Sequence, residues 1–155
     1  MSTKDKGSAL IEQLGLQPHP EGGWFRETWR GPARDDGRAT GTAIVFALKS
    51  GERSHWHRVD ADELWIWQGG DALTLRVASG DAGPVETVML GGDFSSGEAL
   101  QKLVPKGAWQ AADAPLDGAG VDGRGKHGYS LVSCVVVPGF EFAGFKLAPQ
   151  GWEPG

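Results

Sequence analysis

The stretch Ser54-His55-Trp56-His57-Arg58-Val59-Asp60-Ala61-Asp62-Glu63-Leu64-Trp65-Ile66-Trp67 decides how this chain is read. On a strand, side chains repeat their direction every two residues, so the spacing predicts that His55 and His57 leave one face together. The Leu-Trp-Ile-Trp run is rich in strand-favouring residues and is expected to form the neighbouring antiparallel strand. A short connection over residues 58–62 would then return Glu63 opposite the histidine pair. Two imidazoles and a carboxylate on one face are a facial triad for an iron-like metal, and zinc accepts the same ligand types. Half-exposed strands without metal also carry such pairs, and Glu63 can equally cap a turn; spacing alone leaves both readings open.

Outward from this stretch, the composition sets bounds. The 155 residues suit one domain with a single core. The 25 glycines lie between short apolar runs, the pattern of many strands joined by tight turns. A single cysteine, Cys134, rules out an intrachain disulfide, and in a valine-rich run it is expected to be a small buried apolar residue. No signal peptide and no bilayer-length apolar stretch is legible, so a cytoplasmic protein is the expectation. With a formal charge of −5 and no basic block, a phosphate backbone is not an expected partner. Seven tryptophans fill a core or wall a polar cavity.

Taken in order, residues 1–7 are expected to be disordered, residues 8–149 to form one domain, and residues 150–155 a tail. Ser8 is expected to cap a helix ending at Leu14, with Gly15 as its stop. Pro18-His19-Pro20-Glu21-Gly22-Gly23 is a rigid turn, in which His19 is expected at the surface. Trp24–Arg30 is expected to be a strand, as are residues 40–48, 73–77, 85–90, 129–137 and 140–148, and Gly69-Gly70-Asp71 is a hairpin-type turn. Pro105-x-Gly107 is a tight turn releasing a strand near Trp109. Residues 113–128, rich in Gly and Asp, are expected to be a mobile surface insertion. About ten short strands with regular turn signals predict an all-β closed or double-sheet architecture.

These residues carry a resemblance. His55, His57, Glu63 and Gly70 resemble the first motif of the cupin superfamily, and Pro105-x-Gly107 with a polar residue at Gln110 resembles the second. Residues 16–28, 54–71, 104–110 and 137–140 together resemble the fifth cupin family, an uncharacterised-domain family, over nearly the whole chain from about Ile11 to Ala148. The resemblance implies a double-stranded β-helix, the cupin jelly-roll barrel, behind a short N-terminal helix. It also implies a polar barrel mouth lined by His55, His57, Glu63 and Gln110. Metal-binding cupins supply a third histidine where Gln110 stands, and an amide oxygen is a weaker ligand, so a divalent ion (Fe, Mn, Zn or Ni) would be weakly held.

Around that mouth, the two-residue period sets Trp65 and Trp67 on the face of Glu63 as an aromatic wall, with core packing as the alternative for both. Arg26 and Arg76 are candidate contacts for an anionic substrate group if they turn inward, and outer-face residues otherwise. The barrel is similar to that of nucleotide-sugar epimerases. An enzyme acting on a small sugar-like or hydroxy-acid molecule is expected, either by the epimerase- or isomerase-type proton transfer that this likeness implies or by metal-assisted chemistry with Gln110 completing the site. His57 or His55 would take the proton, Glu63 would orient the imidazole, and Tyr129, the only tyrosine, would be the proton donor. The alternative is a non-catalytic binding or sensor cupin. The superfamily also implies a homodimer built through the N-terminal strands, with Trp24–Arg30 as the candidate segment.

Overall fold

The structure, a computed structural model, describes residues 5–116 and 125–155. Helix α1 (Lys6–Leu14) opens them. Asp5 rather than Ser8 is its cap: the Asp5 carboxylate accepts the Ser8 N–H at 2.8 Å and the Ser8 hydroxyl at 2.8 Å. Gly15, at φ 66°, ends the helix as expected.

Eleven strands follow among the described residues, in two antiparallel sheets. They are β1 (Gln17–Pro18), β2 (Trp24–Arg30), β3 (Thr42–Lys49), β4 (Arg53–Val59), β5 (Asp62–Gly70), β6 (Leu73–Ala78), β7 (Val85–Leu90), β8 (Gln101–Val104), β9 (Trp109–Asp113), β10 (Tyr129–Val137) and β11 (Phe145–Leu147). One sheet runs β1-β2-β3-β10-β5-β8 and the other β11-β4-β9-β6-β7. The fold is the all-β cupin jelly roll. Residues 140–148 form only the three-residue β11, because a 3₁₀ turn at Phe142–Gly144 interrupts them. Strand β2 lies between β1 and β3 of its own chain.

The inward faces grade along the barrel. On β10, Ser130, Val132, Cys134 and Val136 are buried in alternation. Toward the middle, Phe46, Leu48, Trp65, Leu73, Leu75, Leu90 and Val132 form the main core. Each such side chain contributes roughly 1.5–3 kcal/mol by leaving water. Toward one end the same faces continue as Thr42 and Ile44 on β3, Glu63 on β5 and Val136 on β10, and these line a cavity. Register fixes that convergence, since Val136 pairs with Glu63 and with Thr42.

Strands β4 and β5 are not partners, contrary to expectation: they lie in opposite sheets. A two-residue hairpin of the tightest type needs positive φ at both loop positions, hence Asn, Asp or Gly first and Gly second. Ala61 stands where the glycine is needed, and no non-glycine described residue has positive φ. The linker instead crosses the barrel end, pinned by the Asp60–Arg38 ion pair at 2.7 Å and by the Asp60 N–H bonded to the Gly144 carbonyl.

The C-terminal residues, expected to be a tail, pack against the barrel. The Trp152 ring packs on Trp109 with centroids 4.5 Å apart, and the Gly155 N–H bonds the Asp81 carbonyl. The expectations of a disordered start and a mobile insertion fall in large part on residues 1–4 and 117–124, outside the described residues. No described helix is long and apolar enough to cross a membrane.

Candidate functional site

The cavity at the barrel end holds about 400 Å³. Its floor is built from His57 and Glu63, reaching in from opposite sheets, and from Glu21, delivered by the Pro-His-Pro-Glu-Gly-Gly turn. That turn folds against β4: the Glu21 carbonyl accepts the His55 N–H at 2.7 Å. Gly22, at φ 105°, makes the approach feasible, because a Cβ there would collide with the Arg53 carbonyl.

The docked turn accounts for the register of β4. Ser54 pairs with Ala112 and His57 with Gln110, so three steps on β4 match two on β9. This bulge, with the His55 N–H drawn to Glu21, puts Ser54 and His57 on the same inward side. The Ser54 hydroxyl and His57 Nε2, the latter at 2.9 Å, both donate to Glu21 Oε2. His55 leaves that face, and its Nε2 lies 3.0 Å from the Pro149 carbonyl. The expectation that His55 and His57 point together assumed an unbroken strand, and the bulge corrects it.

Hydrogen-bond chemistry and local charge together favour a charged His57. Its Nδ1 lies 2.7 Å from the His55 carbonyl, which can only accept, and its Nε2 faces a carboxylate. Against an ionised Glu21 both ring nitrogens donate. Burial alone would pull His57 down, yet the Glu21 charge and hydrogen bond outweigh it and hold the imidazole above its ordinary range. Burial likewise opposes ionisation of Glu21, and the His57 charge and hydrogen bond outweigh it, so its carboxyl sits below the ordinary value.

His19, expected at the surface, is buried beside this pair, its Nδ1 3.2 Å from Glu21 Oε1. Phe25 packs edge-on at 4.7 Å, and burial pushes the His19 imidazole toward the neutral form. Nδ1 accepts the Glu21 N–H at 3.2 Å, which leaves the ring proton on Nε2.

Glu63 contrasts with Glu21. Burial raises its pKa to about 7, with the Glu21 charge adding to the rise and His57 opposing it. Gln110 Nε2 donates to Glu63 Oε1 at 2.9 Å, and the Trp65 indole donates to Gln110 Oε1 at 2.7 Å. An indole N–H is only a donor, so the Gln110 oxygen must face Trp65 and its amino group must face Glu63. The Cys134 thiol, pushed up by burial, lies against Glu63.

The four residues expected to hold a metal do not converge. His55 faces Pro149, the Gln110 oxygen is committed to Trp65, and His57 and Glu63 remain. No group of three or more His, Cys, Asp or Glu suited to an ion occurs among the described residues. As arranged, His55, His57, Glu63 and Gln110 do not together form a divalent-ion site.

The other candidate residues lie elsewhere. Trp65 packs in the main core behind the polar floor, and Trp67 packs against that core; the aromatic wall is instead Phe25, Phe140, Phe142 and Phe145. Arg26 donates to the Leu14 carbonyl, and Arg76 pairs with Asp113. Tyr129 pairs with Lys49 at the far end of β10, seven residues or about 23 Å from Val136. The signal for Glu21 is the Gly-Gly directly after a Pro-Glu pair, which marks a backbone built for close approach.

Fold and site together define a β-barrel with an acid–base cavity at one end. The chain belongs to the cupin superfamily family DUF985, whose model matches residues 8–148. A hypothetical protein from Leishmania major is 35% identical over 93% of this chain and 88% of its own, with a TM-score of 0.81. A protein from Shewanella oneidensis is 37% identical over 96% and 87%, with a TM-score of 0.80. Oxalate decarboxylase from Bacillus subtilis, a protein with Mn(II) centres, shares the fold at 14% identity and a TM-score of 0.59, over 86% of this chain and 30% of its own. No curated protein matches.

Proposed function

We propose that this cupin is a proton-transfer enzyme of the isomerase or epimerase type, acting on a small carbonyl compound. The observation that carries the reading is a buried, charged His57–Glu21 pair sharing one cavity with Glu63, whose pKa of about 7 lets it give or take a proton at neutral pH. Desolvated charges are costly, and a pair of carboxyls pushed to opposite protonation states is what acid–base chemistry uses.

In this reading Glu63, as carboxylate, removes the proton from the carbon next to the carbonyl. The C–H electron pair moves into the enol double bond, and the carbonyl oxygen takes the proton held between His57 Nε2 and Glu21. Glu63 returns its proton to the same carbon after the enol has turned its other face, which completes an epimerisation. For an α-hydroxy ketone or aldehyde it returns the proton to the former carbonyl carbon while the second hydroxyl gives its proton to the His57–Glu21 pair, which completes an isomerisation. Gln110 and Trp65 are positioning residues that fix the Glu63 carboxyl. Tyr129 has no part, and His55 acts only through its backbone carbonyl.

Non-catalytic binding is the second reading, favoured by the apolar walls of Phe25, Ile44, Val59 and Val136. The two separate in exchange experiments. Small ketones are incubated in D₂O with wild type, His57→Gln and Glu63→Gln, and deuterium next to the carbonyl is followed by NMR. Enzyme-dependent exchange lost in both variants is the expected result; binding without exchange in wild type supports the second reading.

Assembly as a homodimer through the N-terminal strands belongs to the same proposal, with Trp29 on β2, 49% exposed, as an apolar contact. Light scattering on wild type and Trp29→Glu tests it, and a monomeric wild type contradicts it.

A further inference from the structure

The charges around the cavity are arranged unlike those of a site for acids or phosphates. Four carboxyl side chains line it: Glu21, Glu27, Glu63 and Glu141. Arg30 is the one Lys or Arg among its described lining residues, and it is already occupied. Its Nε and one terminal nitrogen hold the Glu27 carboxylate at 3.2 and 2.7 Å, and that terminal nitrogen also donates to the Phe140 carbonyl at 3.2 Å. The His57 imidazolium is committed to Glu21. An entering anion would meet no unpaired cation here and would lie against Glu63 and Glu141.

The walls are largely aromatic. Phe140, Phe142 and Phe145 stand edge to face, with centroids 4.9 to 6.0 Å apart, and offer ring surfaces to the cavity. The volume of about 400 Å³ equals about thirteen waters at about 30 Å³ each, room for a molecule of roughly a dozen non-hydrogen atoms. Desolvating an unpaired carboxylate or phosphate costs several kcal/mol, and like charges at close range add to that cost.

We infer that the cavity selects a small uncharged carbonyl compound with a flat apolar body, and turns away carboxylates, phosphates and nucleotide-linked sugars. Hydroxy acids and nucleotide sugars thus fall outside the substrate class. The carbonyl in this inference rests on the proton-transfer reading; the charge rule does not.

The test is a matched pair of probes, 4-acetylbenzamide and 4-acetylbenzoate, equal in non-hydrogen atoms and different by one charge. Binding is measured by NMR shift changes at low salt and pH 7.5, with wild type and Glu27→Gln. The amide is expected to bind at least about tenfold more tightly than the carboxylate, about 1.4 kcal/mol. Glu27→Gln, which releases Arg30, is expected to narrow the gap to about threefold or less by improving carboxylate binding. Equal or tighter binding of the carboxylate by wild type overturns the inference, as does failure of both probes to bind at about 10 mM. A gap unchanged in Glu27→Gln overturns the role of the rim pair. Binding is read without turnover, so an amide that binds but does not exchange deuterium sinks the proton-transfer reading and leaves the charge rule standing.

Discussion

Trp65 and Gln110, both buried behind the cavity floor, are joined by an indole-to-amide hydrogen bond of 2.7 Å. Because the indole can only donate, this contact turns the amide so that its nitrogen faces Glu63. The position where metal-binding cupins carry a ligand here carries a hydrogen-bond donor to a carboxyl. Replacing Gln110 by Leu removes a contact that favours the charged carboxylate. The Glu63 pKa should then rise above about 7, as read by carboxyl ¹³C NMR, and a fall would contradict this role.

Glu63 also makes folding stability depend on pH. Its folded pKa of about 7 exceeds the ordinary carboxyl value of 4.5, so the folded protein holds this proton more tightly than the unfolded chain. Stability from this group is full below about 4.5 and is lost as pH rises through about 7. The shift corresponds to about 3 kcal/mol. Urea unfolding at pH 5 and pH 8.5 should show wild type losing stability on that order, with Glu63→Gln much less sensitive. Equal sensitivity in the two proteins would contradict the buried neutral carboxyl.

The His57–Glu21 pair should behave as a unit. Removing one partner strands a buried charge, at a cost of roughly 3–5 kcal/mol. His57→Gln and Glu21→Gln are each expected to destabilise strongly, and the double variant by clearly less than their sum. Additive losses in a double-mutant cycle would show that the two groups are not coupled.

His55→Ala is the control that separates this site from a two-histidine metal site. Its side chain meets only the Pro149 carbonyl among the polar contacts described, and the backbone carbonyl that holds His57 Nδ1 survives the substitution. Destabilisation of about 1 kcal/mol and an unchanged His57 ring signal are expected. A displaced His57 signal would mean that the two imidazoles act together after all.

The barrel was legible because local rules held. The apolar run at residues 129–137 is strand β10 end to end. The turn at Gly69-Gly70-Asp71, with Gly70 at φ 76°, is no hairpin, because it passes the chain from β5 in one sheet to β6 in the other. The site was legible in part. His57 and Glu63 reach one cavity, but from opposite sheets, because Asp60-Ala61 cannot form a tight hairpin. The divergence of His55 follows from a bulge that arises only when the Glu21 turn docks more than thirty residues along the chain. Glu21 and His19 were missed for the same reason. A proline-framed histidine looks like a surface turn until β4 is placed beside it.

The measurement that tests the acid–base account most directly is a paired NMR titration over pH 5 to 9. It follows ¹⁵N on the His57 ring and ¹³C on the Glu63 carboxyl, assigned by His57→Gln and Glu63→Gln. The account predicts that at pH 7 both His57 nitrogens are protonated while Glu63 is midway through its titration, at a pKa of about 7. A neutral His57 at pH 7, or a Glu63 titrating near 4.5, would contradict it.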